Sequence, residues 1–109
     1  FTHCIIANNI IQGSSMQGSI RFQPNLSDFV VDNNYLRAGQ ISVSSKDEDG
    51  EGVYITFNNI EEGGSAFIEG KGIREVIGNR VTGVKDGTAI TISSCKNIII
   101  ANNYAQTYG

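Results

Sequence analysis

Asn97-Ile98-Ile99-Ile100-Ala101-Asn102-Asn103 is an apolar run closed by a pair of asparagines. Related phrases stand at Ile6-Ala7-Asn8-Asn9, Val31-Asp32-Asn33-Asn34, Ile55-Thr56-Phe57-Asn58-Asn59 and Val76-Ile77-Gly78-Asn79. One asparagine from each copy gives Asn9, Asn34, Asn58, Asn79 and Asn103, at steps of 25, 24, 21 and 24 residues. A near-constant period in this range is the mark of a solenoid, in which each repeat buries its apolar face against its neighbours.

Aligning the copies on the asparagine resolves the interior of one coil. Three residues before it stand Ile6, Val31, Ile55, Val76 and Ile100; five before stand Cys4, Phe29, Val53, Arg74 and Ile98. Two after it stand Ile11, Leu36, Ile60, Val81 and Ala105. A spacing of two means alternate faces of a strand. Arg74 breaks the pattern, and Ile73 beside it predicts a local bulge or register shift. A third apolar pair follows: Ile20/Phe22, Ile41/Val43, Ala66/Ile68 and Ile90/Ile92. The reading is therefore an all-β parallel β-helix of about four to five coils, each with three short strands. The repeated asparagine suits a sharp turn, because Asn tolerates left-handed backbone angles. Stacked in register, these amides are also expected to form an internal ladder that satisfies buried polar groups, each worth about 1–3 kcal/mol if left unpaired.

These residues resemble those of the pectin lyase-like right-handed parallel β-helix family. Asn97 to Asn103 and Asp28-Phe29-Val30-Val31-Asp32-Asn33-Asn34-Tyr35-Leu36 carry the likeness, which extends over nearly the whole chain. It is specific for fold and unspecific for chemistry, since members include pectate lyases, polygalacturonases, alginate epimerases, bacteriophage tailspikes and surface adhesins. The polar, irregular coils are most similar to tailspikes and capsule depolymerases, which form homotrimers. The resemblance thus implies a bacterial surface polysaccharide as partner, a homotrimer or continuation into further coils, and a place outside the cell or on a virion surface.

The totals fit one segment, residues 1–109. The chain opens and stops inside strand-like stretches, so we expect a fragment of a longer solenoid. Its 13 glycines and single proline suit frequent turns and intact backbone ladders. A net charge of −3 without a Lys/Arg cluster argues against nucleic acid. No apolar run approaches the roughly 20 residues of a membrane span. Cys4 and Cys95 would lie about four coils apart, roughly 19 Å at about 4.8 Å per coil, so both are expected to be free thiols.

In the enzymes that this chain resembles, the outward face of the third strand often forms the sugar groove. Here that face carries Arg21, Gln23, Gln40, Ser42, Ser44, Phe67, Glu69, Thr91 and Ser93. Its hydroxyls, amides, charges and aromatic ring suit a polysaccharide; the plain alternative is a solvated sheet face. Glycosidases need two carboxylates about 5–5.5 or 6.5–9.5 Å apart, distances that adjacent or alternate coils provide. Glu69 is the best single acid, with a partner from Asp47 or Asp49 in the acidic loop, or from Asp86. A lyase would need a base such as Arg21, Lys71 or Arg74, and no pattern selects one. No metal or cofactor is expected. Ser45-x-Asp47-x-Asp49-Gly50 partly matches a calcium loop, but Thr56 stands where a bidentate Glu is required. Gly70-Lys71 lacks the flanking Gly and Ser/Thr of a phosphate loop. His3 is the only histidine, which excludes a His-based dyad or multi-His site within this chain. Asn25-Leu26-Ser27 is a formal glycosylation sequon, and Glu61-Glu62 is read as keeping a strand face wet. A non-catalytic shaft of a tail fibre or adhesin stands beside the carbohydrate-active reading.

Overall fold

Alternating Val, Ile and Phe with short turns produce strands throughout. The computed structural model describes residues 2–12, 19–22, 27–45, 52–62, 64–85 and 87–108. The first sheet contains β1 (Thr2–Ala7), β4 (Ser27–Asp32), β7 (Val53–Thr56), β10 (Ile73–Ile77) and β13 (Ile99–Ala101). The second contains β2 (Ile10–Gln12), β5 (Tyr35–Arg37), β8 (Asn59–Glu61), β11 (Arg80–Lys85) and β14 (Tyr104–Tyr108). The third contains β3 (Ser19–Phe22), β6 (Gln40–Ser44), β9 (Ser65–Glu69) and β12 (Ile90–Ser93). Every pairing is parallel and joins a strand to its counterpart one repeat away. The chain is a parallel β-solenoid, and no helix occurs among the described residues.

The solenoid has about three turns, not the four to five expected. The reason lies in closure rather than strand formation. A rung is sealed only when a neighbour covers its inward side chains. From Phe29 to Ala89 that condition holds: Phe29, Val31, Leu36, Val43, Val53, Ile73, Val76 and Val81 are wholly buried. At the outer rungs Cys4, Ile6, Ile11 and Ile98 are only partly covered, and Ile100 is 54% exposed. The expected irregularity at Arg74 is present. Ile73 pairs with Val53 and Glu75 with Tyr54, so Arg74 is the extra residue and Ile73 takes the inward place.

One column of amides links the rungs. Asn34 Oδ1 accepts from the backbone N–H of Asn9 at 3.1 Å and from its Nδ2 at 3.0 Å. Asn58 Oδ1 does the same for Asn34 (3.0 and 2.9 Å), Asn79 for Asn58 (3.0 and 2.9 Å), and Asn103 for Asn79 (2.9 and 3.0 Å). Each Nδ2 also donates backward to a strand carbonyl: Asn34 to Ile6, Asn58 to Val31, Asn79 to Ile55 and Asn103 to Val76. Each interior amide therefore uses both donors and both lone pairs. Asn34, Asn58 and Asn79 are 2–5% exposed, so water cannot take over these bonds.

The left-handed turn residue is not the ladder asparagine, contrary to expectation. Positive φ falls one residue earlier, at Asn8 (60°), Asn33 (54°), Phe57 (53°), Gly78 (68°) and Asn102 (56°). The earlier residue reverses the chain, and the next can then aim its amide inward. Phe57 is the unusual member, since a bulky residue in this region costs about 1–2 kcal/mol. Its ring lies over Gly78, where an added Cβ would come within 2.5 Å of Cδ1 and Cε1.

Asn58→Ala would leave partners on Asn34, Val31 and Asn79 unsatisfied. We expect a loss of about 3–5 kcal/mol in urea unfolding. The exposed neighbour Asn33, whose Nδ2 donates to Asn8 Oδ1 at 2.7 Å, provides the contrast: Asn33→Ala should cost under about 1 kcal/mol. Gly78→Ala should cost about 1–3 kcal/mol through backbone strain and collision with the Phe57 ring.

Candidate functional site

The third sheet places its outward side chains in straight columns. Register sets Arg21, Ser42, Phe67 and Thr91 in one column, and Ser44, Glu69 and Ser93 in the next. Gln40 pairs with Ser65 in a third. Ser42, Glu69, Thr91 and Gln40 are half-buried, and Phe67 is exposed. The structure thus brings Gln40, Ser42, Phe67, Glu69 and Thr91 onto one face, together with the backbone position of Arg21. Gln23, Asp47, Asp49 and Asp86 lie outside the described residues.

At one edge of this face the chain turns through Gly70-Lys71-Gly72. Ser45, wholly buried, donates its N–H to the Glu69 carbonyl at 2.9 Å, and its carbonyl accepts from Gly72 N–H at 3.0 Å. Gly70 N–H donates onward to the Ser93 carbonyl at 3.0 Å. A Cβ on Gly70 would lie 1.9 Å from the Ser45 carbonyl oxygen, so only glycine fits between these rungs. The turn leaves Lys71 exposed beside Glu69. Glu69, Gly70, Lys71 and Ser94 line a shallow hollow of about 330 Å³, at the small end of ligand sites. A carboxylate, an ammonium and a hydroxyl there can hydrogen-bond a polar ligand.

The chemistry of acid–base cleavage asks for more. Glu69 has Ser44 and Ser93 as its register neighbours, so its own column provides no second carboxylate. Cys95 lies beneath the turn with its thiol donating to the Ser93 carbonyl at 3.2 Å. Burial, with the Glu69 charge as a smaller cause, pushes that thiol up, away from the range of an activated nucleophile. Cys4 and Cys95 are both free. No family model, curated protein or solved structure matches this chain. The site must therefore be judged on its own geometry.

A second polar face had no place among the expected site residues. On the second sheet, register puts Ile10, Tyr35, Asn59, Arg80 and Tyr104 in one column, with Arg37 opposite Glu61 in another. Tyr35 Oη donates to Glu61 Oε2 at 2.8 Å, and Asn59 Nδ2 lies 3.4 Å from Glu61 Oε1. Arg37 Nε meets Glu62 Oε2 at 2.8 Å. The Arg80 guanidinium sits 5.3 Å from the centre of the Tyr104 ring. Asn59 Oδ1 is buried without a partner among the described residues. Glu61 and Glu62 are therefore bonded members of a network rather than merely solvated acids. The usable signal was the outward position one residue after each ladder asparagine, where Tyr35, Asn59, Arg80 and Tyr104 recur.

The bond from Tyr35 to the Glu61 carboxylate raises the phenol above its ordinary value of 10.0. A raised acid stabilises the fold while protonated and loses that contribution as pH climbs through its folded value. Tyr35→Phe should therefore soften the loss of stability above about pH 10 in pH-resolved melting. For Glu62 the sign reverses: the Arg37 hydrogen bond lowers its pKa. The contribution is present at neutral pH and is lost as pH falls below the ordinary carboxylate range. Glu62→Gln should flatten that acid limb.

Proposed function

We propose that this chain is a carbohydrate-binding segment of a β-solenoid, with the third-sheet face as its glycan contact. The supporting observation is the alignment of Ser42, the exposed Phe67 and Thr91 in one column beside the Glu69–Lys71 hollow. An aromatic ring gives apolar contact to a sugar face, and the hydroxyls and charges beside it serve the sugar rim. The partner class is a bacterial surface polysaccharide, as in the tailspike-like members of the pectin lyase-like group. A homotrimer, and a location on a virion or outside the cell, belong to the same proposal.

Binding to an array of bacterial capsular and lipopolysaccharide oligosaccharides tests this reading. Phe67→Ala is expected to weaken binding about tenfold, which corresponds to about 1.4 kcal/mol. Glu69→Gln should weaken it less. Wild-type affinity that neither variant changes would remove this face from the proposal, and sedimentation of the same protein would count its copies.

A second reading has its own observation. Among the described residues Glu69 stands between serines in its column, with no second acid beside it, which fits a non-catalytic role: a shaft that carries or positions chemistry located elsewhere. We expect no depolymerisation of the bound glycan by this chain. Glycan cleavage that Glu69→Gln abolishes would establish Glu69 as an acid catalyst and overturn the non-catalytic reading.

A further inference from the structure

The corner between the first and second sheets repeats one backbone shape. Its left-handed residue is Asn8, Asn33, Gly78 or Asn102 in four rungs and Phe57 in the fifth. Asn and Gly accept that conformation readily; an aromatic residue does not. Phe57 also interrupts an outer amide row, in which Asn33 Nδ2 donates to Asn8 Oδ1 at 2.7 Å. Burial does not explain its presence, because the side chain remains 59% exposed. A strained residue held at the surface directs attention to what the surface does.

The next rung is shaped to receive the ring. Gly78 leaves open the space that Phe57 Cδ1 and Cε1 occupy. One side of the ring is thus supported by backbone while much of it faces water. The residues just before two of these turns supply polar groups: Thr56 Oγ1 donates to Asp32 Oδ1 at 2.7 Å, and both are half-buried. Asn33, one rung back from Phe57, has its amide oriented by its bond to Asn8. Thr56 stands beside Phe57, and register places Asp32-Asn33 one rung back, so the polar groups on this corner are a hydroxyl, a carboxylate and an amide. There is no cation among them, which disfavours phosphate or nucleic acid. The corner suits a neutral ring with one flat C–H face and hydroxyls around its edge.

We propose that Phe57, with Asn33, Asp32 and Thr56, forms a second saccharide subsite, separate from the third-sheet face. The proposal rests on the carbohydrate reading above but uses different residues on a different part of the solenoid. A sugar ring stacks on Phe57, and the three polar side chains take its hydroxyls.

The test compares wild type, Phe57→Asn, Phe57→Tyr and Phe67→Ala in thermal melting and on the same array of capsular and lipopolysaccharide oligosaccharides. Phe57→Asn relieves the backbone, so its melting temperature should rise by about 4–8 °C while its affinity falls about tenfold. Phe57→Tyr should retain the affinity. A lower melting temperature for Phe57→Asn would make the ring a packing element and overturn the subsite. Unchanged affinity in Phe57→Asn, with a loss in Phe67→Ala, would overturn the subsite and leave the third-sheet reading standing. A loss in Phe57→Asn alone would support the corner and remove the sheet. No glycan binding by the wild type would overturn both.

Discussion

The column of asparagine amides is the interaction that ties one rung to the next at fixed height and angle. Strand ladders alone tolerate slippage by two residues, because the inward and outward faces are preserved. The interior amides of Asn34, Asn58 and Asn79 do not, since each has one partner before it and one after it. Buried among Val, Ile and Leu, they have no water to fall back on. A ladder out of step would leave several unsatisfied groups at once. The registry of all three sheets, and hence of every outward column, follows from this corner.

Loop length is free where the amides are not. The steps between ladder asparagines run 25, 24, 21 and 24 residues, yet the hydrogen bonds across them stay between 2.9 and 3.1 Å. The difference in step length is taken up between the strands, where the chain positions fall outside the ladder. The Arg74 bulge shows the same economy inside a strand: one surplus residue is pushed aside and Ile73 keeps the core position.

The ladder and the inward columns were legible because the same demand recurs in every coil, so chance matches average out. The exchange of roles at the turn was harder to see. Where Asn33-Asn34 and Asn102-Asn103 stand side by side, either residue could hold the left-handed angle. Gly78-Asn79 distinguishes them, since glycine takes the strained place. The turn count was overestimated because a strand can be recognised from its own residues, whereas closure depends on a neighbour's side chains. The bonds from Tyr35 to Glu61 and from Arg37 to Glu62 join residues 25 or 26 positions apart. Only cross-rung registry brings them together, so Glu61-Glu62 read alone as a wet surface. For the third-sheet residues, the sequence supplied the face, while the hollow between Glu69 and Lys71 required the Gly70 turn packed on Ser45.

Every amide in the column points the same way, accepting from the preceding rung and donating to the following one. Such a stack is directional, like a zip whose teeth all lean to one side. A duplicated rung inserted between two others meets a matching donor in the rung before it and a matching acceptor in the rung after it. Lengthening by gene duplication is therefore structurally neutral in whole-repeat steps, while reversing a rung, or splicing in half of one, breaks the chain of dipoles.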